Sequence, residues 1–400
     1  MRKSRVSHVT LALVCAIAAL PVTAAPPKPV TLDLTAVPLA DAIARWEKAA
    51  GAKADVAWPT FERIDKNTPV TLRLKDVPAD AALRLLMRAA HGGGKTNVWR
   101  DGDTVRVTGL ADAEVVKPVE RTYDLVKSGV GALIQADGDT ALELVQRLIM
   151  EMVAAETWRE AGGAVGGMRI AGRSLVVSTT PVIHDEVAAL LGKVRDAAAE
   201  RPAPAEPAVE RTRRALARRL PGTGPTGTMT LGEALDKWHA AAAPGVNVIV
   251  DWRVLETGGF ERSSPVDIPK DAATKPAGEA LAAIFRSIKS DFKDFLGVEI
   301  GEAGVLVVSS RDDLERAMAH VRCYNVRALV ARPARRGDDP TQAERMEAVI
   351  KALSEAVDPP SWRDNGGSIG AMRSLGTVLV INQTPANHER IAAALARFGK

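Results

Sequence analysis

The stretch 158–189 recurs at 362–393 without a gap, at a constant offset of 204, and this duplication limits the fold more than any other feature. Fifteen of the 32 positions are identical, as WREAGGAVGGMRIAGRSLVVSTTPVIH and WRDNGGSIGAMRSLGTVLVINQTPANH show. The match extends upstream. The two tyrosines correspond, Tyr123 in TYDL and Tyr324 in CYNV. Trp46, Trp58 and Trp158 pair with Trp238, Trp252 and Trp362, leaving Trp99 unmatched. PLADAIARW (38–46) aligns with TLGEALDKW (230–238), and PADAALRLLMR (78–88) with PAGEALAAIFR (276–286). The chain is therefore expected to be a tandem pair of like-built units of roughly 170 residues each.

The N-terminus points to export. Arg2, Lys3 and Arg5 precede a short apolar run, Val9–Leu20, and Val22-Thr23-Ala24 supplies small residues where a signal peptidase cuts, predicting cleavage near Ala24 and a periplasmic or secreted location. The run is too short for a stable membrane span, and no later segment reaches the required length. Removing three basic residues lowers the formal charge from +4 to about +1, which weakens any electrostatic case for nucleic acid. Cys323 is then the one cysteine left, so no internal disulfide is expected and stability must come from packed cores.

Within the first unit, VTLDLTAVPLADAIARW (30–46) is echoed by VTLRLKDVPADAALRLL (70–86). Each begins with the alternation of a half-buried strand and continues, after Val-Pro, into a helical stripe: Leu39, Ala42, Ile43 and Trp46, then Ala79, Ala82, Leu83 and Leu86. Two short strands turn about Asp101-Gly102, giving β-α-β-β-α-β-β. The second half reads as β-α-β-β-α, with a helix near Thr140–Ala154, a hairpin turning at Gly172-Arg173 and a last helix capped by Thr180. The expected class is α+β, with a small sheet and a helix layer in each module.

The first of these patterns resembles the secretin and TonB short N-terminal (STN) domain, and the second resembles the KH-like periplasmic modules that follow it in secretins. The expected organisation is a signal peptide at 1–24, an STN-like module at 27–110, a KH-like module at 118–198, a Pro/Ala/Arg linker at 199–227, a degraded STN-like module at 228–312 and a second KH-like module at 320–399. VDIPKDAATKPAGEALAAIF (266–285) has lost the clean strand alternation of its counterpart. The resemblance implies docking of protein partners or side-by-side stacking of modules. Secretins continue into a membrane-embedded barrel, whereas this sequence stops at Lys400, so a pore-forming role is not carried over.

Catalytic signals are sparse. Gly366-Gly367-Ser368-Ile369-Gly370 matches G-x-S-x-G, but a nucleophile elbow needs a strand before and a helix after, and here a helix precedes and a strand follows. The matched segment, Gly162–Gly166, has no hydroxyl, so both glycine-rich stretches are expected to be turns with positive φ. The same loops spell the G-x-x-G of nucleic-acid-binding KH domains without its basic residues, and Gly92-Gly93-Gly94-Lys95 lacks the spacing of a phosphate loop. His184 and His388 fall in the first turn of the last helix of each unit, with no second ligand nearby, and are expected at the surface or packed at the helix start. The matched tryptophans are expected in the cores; for Trp158 and Trp362, each followed by an arginine (Arg159, Arg363) and flanked by polar loop, partner contact is the competing reading.

The sequence thus predicts a non-enzymatic periplasmic interaction or scaffold protein without cofactor or metal, an accessory of a secretion or envelope complex. Its partners would be envelope proteins, a secretin or other outer-membrane component among them, or further copies of itself. The rivals are an exported hydrolase using Ser368 and a polyanion binder using Arg211, Arg213, Arg214, Arg218 and Arg219 of the linker.

Overall fold

The computed structural model describes residues 28–61, 64–91, 96–109, 118–133, 138–201, 207–242, 246–288, 295–331 and 339–398. The expected signal peptide and the Gly92–Lys95 stretch lie outside these residues. No described helix is long and apolar enough to cross a membrane.

The first module runs β1 (Pro29–Pro38), α1 (Leu39–Ala50), β2 (Lys53–Val56), β3 (Pro69–Pro78), α2 (Ala79–His91), β4 (Thr96–Asp101) and β5 (Thr104–Gly109), the order expected. The echo between its halves is a structural pseudosymmetry. β1 and β3 pair antiparallel, and each carries a bulge two residues before its proline, at Ala36 (φ 51) and Asp76 (φ 54). Thr71 Oγ1 accepts from the Ala36 N–H at 3.0 Å, and Thr31 Oγ1 accepts from the Asp76 N–H at 3.3 Å, so each bulge is held by the other strand. Both predicted helical stripes are fully buried.

The second module contains β6 (Val119–Asp124), α3 (Gly138–Met152), β7 (Gly167–Ala171), β8 (Ser174–Thr179) and α4 (Pro181–Ala198), with sheet order β6-β8-β7. Thr180 caps α4 by accepting from the Ile183 N–H. Gly162 has φ 88 and its counterpart Gly366 φ 86, as the turn reading requires. A Cβ on the following glycine, Gly163 or Gly367, would lie 2.3 Å from backbone, so that position admits no side chain.

The linker is partly helical. Residues Pro207–Ala217 form helix α5, and Thr212 is buried with its hydroxyl donating to the Gly304 carbonyl at 2.6 Å. Leu220 is also buried. The Arg-rich face stays in water, but the opposite face docks on the second unit. The alternation of Ala, Val and Leu among the charges was the available signal for this.

The second unit repeats the first: β9 (Gly227–Thr230), α6 (Leu231–Ala242), β10 (Val248–Val250), α7 (Trp252–Thr257), β11 (Pro265–Ile268), α8 (Ala277–Arg286), β12 (Leu296–Ile300) and β13 (Leu306–Ser310), then α9 (Arg311–Met318). Its last module has β14 (His320–Asn325), α10 (Arg327–Val330), α11 (Gln342–Ala356), β15 (Ala371–Leu375), β16 (Val378–Gln383) and α12 (Pro385–Phe398). Strand partners match copy for copy. β9 pairs with β11 as β1 does with β3, and β10-β13-β12 repeats the mixed ladder β2-β5-β4. The degraded module has therefore kept its pairing and lost strand length: Pro269 follows directly after the four residues of β11.

The two units are joined twice. β3 of the first pairs antiparallel with β10 of the second, producing one five-stranded sheet, β1-β3-β10-β13-β12. Helices α3 and α4 cover the outer face of the sheet β14-β16-β15, and Val378, Val380, Ala371 and Leu375 are buried in one core with Leu148, Met152 and Leu190. Lys193 Nζ donates to the Val321 carbonyl at 2.9 Å and Asn325 Nδ2 to the Ala197 carbonyl at 3.1 Å. Glu151 pairs with Arg373 across the same contact.

Candidate functional site

Four of the matched tryptophans and the paired histidines have internal hydrogen-bond partners. Trp158 and Trp362 are 0% and 2% exposed, and each indole N–H donates at 2.6 Å to a backbone carbonyl, that of Val153 or Val357. Neither ring reaches the surface, so the core reading holds and partner contact through these two rings is corrected. The reason is local: the 3₁₀ turn that follows each Trp folds its ring beneath the glycine turn, and Gly166 lies against Trp158 with no room for a Cβ. Arg159 and Arg363, on the same turns, remain exposed. Trp46 and Trp238 form a second matched pair, donating to the carbonyls of Ala79 and Ala277 at 2.8 and 2.7 Å.

His184 and His388 are fully buried, so the surface alternative is excluded. Their Nε2 atoms lie 2.7 and 2.8 Å from the carbonyls of Val119 and His320. A carbonyl can only accept, so Nε2 carries the proton and Nδ1 accepts from the hydroxyl of Tyr123 or Tyr324 at 2.9 Å. Each clasp ties the first strand of its module to the last helix. Burial holds the His184 pKa below its ordinary value and takes that of His388 down to about 3, while burial pushes Tyr324 up to about 12. These rings are neutral, occupied at both nitrogens and closed to metal.

Ser368 is exposed, between the 3₁₀ turn Arg363–Asn365 and β15. It lines a cavity of about 630 Å³ with His320, Lys193, Arg316 and Glu186. The His320 ring is already committed, with Nδ1 donating to the Met318 carbonyl at 3.1 Å and Nε2 accepting from Arg322 at 3.0 Å. Among the linker arginines, Arg213 is bonded to Glu389 at 2.7 Å and Arg214 lies 3.6 Å from Glu210.

The feature best shaped to hold a partner is one that motif searching passes over. β12 is an edge strand among the described residues. The Gly301 N–H donates to the Val305 carbonyl at 2.8 Å, and the Arg311 N–H donates to the Phe295 carbonyl at 2.7 Å. Because bonded pairs alternate along an antiparallel ladder, Leu296, Val298 and Ile300 turn their N–H and C=O groups away from β13, and the Ile300 N–H donates to the Glu299 carboxylate. The side away from β13 is the floor of a cleft. Val298 and Glu299 line two cavities of about 290 and 570 Å³, and Pro385 and Ala386 at the start of α12 form the facing wall of both. The 570 Å³ cavity shares Lys193, Ala317, Ala319 and His320 with the cavity at Ser368.

The cleft carries charge of both signs, with Glu299 in its floor and Lys193, Arg311 and Arg390 in its lining. Burial, and then the neighbouring Glu389, raises the pKa of Glu299, and the Arg213 cation that would oppose this is bonded to Glu389. Glu315, which lines the smaller cavity, is raised by burial and by Asp312 and Asp358. A carboxylate in this position gains from a cation brought by a ligand.

No family model matches this sequence, and no curated protein matches it. Among solved structures, the crystal structure of the N-terminal domain of the secretin XcpQ from Pseudomonas aeruginosa aligns over 92% of this chain and 99% of its own, at 10% identity and a TM-score of 0.16. A dimeric cysteine mutant of the same XcpQ domain aligns over the same shares at 9% identity and the same TM-score. The structure of XcpQN012 aligns over 52% of this chain and 86% of its own, at 15% identity and a TM-score of 0.16. At that score the chains do not superpose as wholes.

A second group was also invisible to spacing. Arg88 on α2 reaches across to the second unit, with Nη2 2.9 Å from Asp251 Oδ2 and 2.6 Å from Asp313 Oδ2. Asp313 also accepts from Ser309 Oγ at 2.9 Å. The Asp251 side chain is wholly buried, and burial, with Asp313 nearby, lifts its pKa from 3.8 to about 6 against the pull of Arg88. The three residues stand 163 and 62 positions apart along the chain, so nothing local in the sequence announces them.

Proposed function

We propose that this chain is a non-enzymatic periplasmic interaction protein, built like the N-terminal periplasmic part of secretins, that holds an extended segment of an envelope partner along the open edge of β12. A secretin or another outer-membrane component is the expected partner. The observation that carries this reading is the edge that β13 leaves unpaired on the floor of a cleft, where Val298 offers its N–H and C=O and Ile300 its C=O. An extended peptide adds to such an edge as one more strand, with affinity from main-chain hydrogen bonds and selectivity from side-chain pockets. The commitment of both histidine clasps to structure, and of the His320 ring to backbone and Arg322, supports the non-enzymatic side of the reading.

Val298→Pro tests it. This substitution removes an N–H that faces the cleft and leaves the β12–β13 bonds in place, so the fold should persist. Crosslinked capture from the native envelope fraction is then compared between wild type, Val298→Pro and Ser368→Ala. We expect loss of the captured chain with Val298→Pro and none with Ser368→Ala. Equal capture by wild type and Val298→Pro refutes edge docking. Labelling of Ser368 by a serine-reactive probe would favour the hydrolase.

A further inference from the structure

Both contacts between the two units are heterologous: a surface of the first copy meets a different surface of the second. Contacts of this kind normally propagate, because the surfaces left over at the two ends match each other. Here the leftover surfaces can be read residue by residue, since each has a counterpart already in use inside the chain.

The outer face of the sheet β14-β16-β15 offers Val321, Cys323, Leu375, Val378 and Val380 to α3 and α4. At the matching places on β6-β8-β7 stand Glu120, Thr122, Ala171, Ser174 and Val176, and Arg169 bridges this face to Glu120 at 3.3 Å. Four of five apolar positions have become polar or small. The helical side has changed in the same way. Leu148, Met152 and Leu190, buried against the second sheet, correspond to Ala352, Ala356 and Ala394, which are half-buried or exposed. Gly376, in the hairpin of the covered sheet, lies so close to Leu133 that a Cβ would come within 2.2 Å of its carbonyl, whereas nothing lies within 4 Å of a Cβ on its counterpart Gly172.

The strand contact is closed by other means. β3 pairs with β10 at Arg73↔Val248 and Leu72↔Ile249. The counterpart of Arg73 on β11 is Pro269, which has no N–H to give, and Val266 of that strand bridges Ile288. The counterpart of Val248 on β2 is Ala54, whose N–H is taken by Glu47 Oε1 at 2.8 Å. Each of the four leftover surfaces is thus disabled by a local change.

We infer that the two interfaces are single-use: the chain closes them internally, and no second copy adds to either. The duplication replaces self-assembly, and the first sheet and last helices act as end caps. The surface at β12 is not part of either contact, so partner binding and this inference stand or fall separately.

Sedimentation of the purified mature chain over two decades of concentration shows whether copies associate, and hydrogen exchange shows through which surface. Two one-sided variants carry the sharper test. One restores the helical face in the second unit (Ala352→Leu, Ala356→Met, Ala394→Leu), and the other restores the sheet face in the first (Glu120→Val, Thr122→Val, Ala171→Leu, Ser174→Val). Each alone should remain a monomer with unchanged far-UV circular dichroism, while an equimolar mixture should double in mass. A mixture that stays monomeric overturns the inference, because those positions would then not be what blocks stacking. A wild-type oligomer with new hydrogen-exchange protection on β6-β8-β7, α11, α12, β2 or β11 overturns it too. An oligomer that leaves those elements exchanging as in the monomer agrees with it.

Discussion

Replacing Asp251 by asparagine should stabilise this protein at neutral pH or leave it unchanged, although the substitution breaks an ion pair. Arg88 is one cation shared by two carboxylates, and Asp251 is fully enclosed. A carboxyl whose pKa stands at about 6 in the folded chain, against 3.8 for the free group, binds its proton more tightly when folded. Its contribution therefore falls as pH rises from about 4 to 6, and above that window the ionised form costs about 3 kcal/mol. Asparagine has the shape of the protonated acid and carries no such cost. The expected gain at pH 7.5 is positive, with about 3 kcal/mol as its ceiling, and it shrinks toward zero at pH 4. Arg88→Met is the opposing control, because it leaves two enclosed carboxylates without a cation and should lose about 3–5 kcal/mol at pH 7.5. Urea denaturation followed by tryptophan fluorescence at pH 4.5 and 7.5 reads both effects as shifts in the transition midpoint. If Asp251→Asn loses more than about 1 kcal/mol at pH 7.5 and the same amount at pH 4.5, the reasoning is wrong and the Asp251 charge is a net support of the junction.

Other measurements bear on the rest of the fold. The His388 pKa, about 3 when folded against 6.5 when free, gives the opposite sign: its neutral ring contributes stability that is lost as pH falls below 6.5, about 2 kcal/mol by pH 5. His388→Gln should flatten that part of the pH profile in thermal unfolding, and an unchanged profile would count against the clasp. Gly172→Ala and Gly376→Ala impose the same left-handed strain, φ 60 in both, worth about 1 kcal/mol. Only Gly376→Ala should cost about 1–3 kcal/mol more, through the clash with Leu133, and equal losses would mean that α3 and α4 do not dock on the sheet β14-β16-β15 this way in solution. Trp362→Phe should lose about 1–2 kcal/mol by stranding the buried Val357 carbonyl, measured by chemical denaturation, with Trp158→Phe matching it if the copies are equivalent.

Short-range periodicity and the repeat at an offset of 204 carried what the residues alone made legible. The order β-α-β-β-α-β-β, the buried stripes Leu39–Trp46 and Ala79–Leu86, the Thr180 cap and the left-handed glycines at Gly162 and Gly366 all follow from spacing within about ten residues. The duplication carried these features into the second unit, even where Pro269 cut a strand to four residues. Which surfaces meet was settled only once the chain had folded. That α3 and α4 cover the sheet of the other copy, that Arg88 finds Asp251 and Asp313, that a helix in the linker docks through Thr212, and that the edge of β12 lies open in a cleft are all relations between distant positions. A pattern of apolar residues shows that a face is buried without showing which face covers it, because the hydrophobic effect is not directional. The same limit explains Trp158 and Trp362, whose polar neighbours in sequence suggested exposure while the glycine turn above each ring enclosed it.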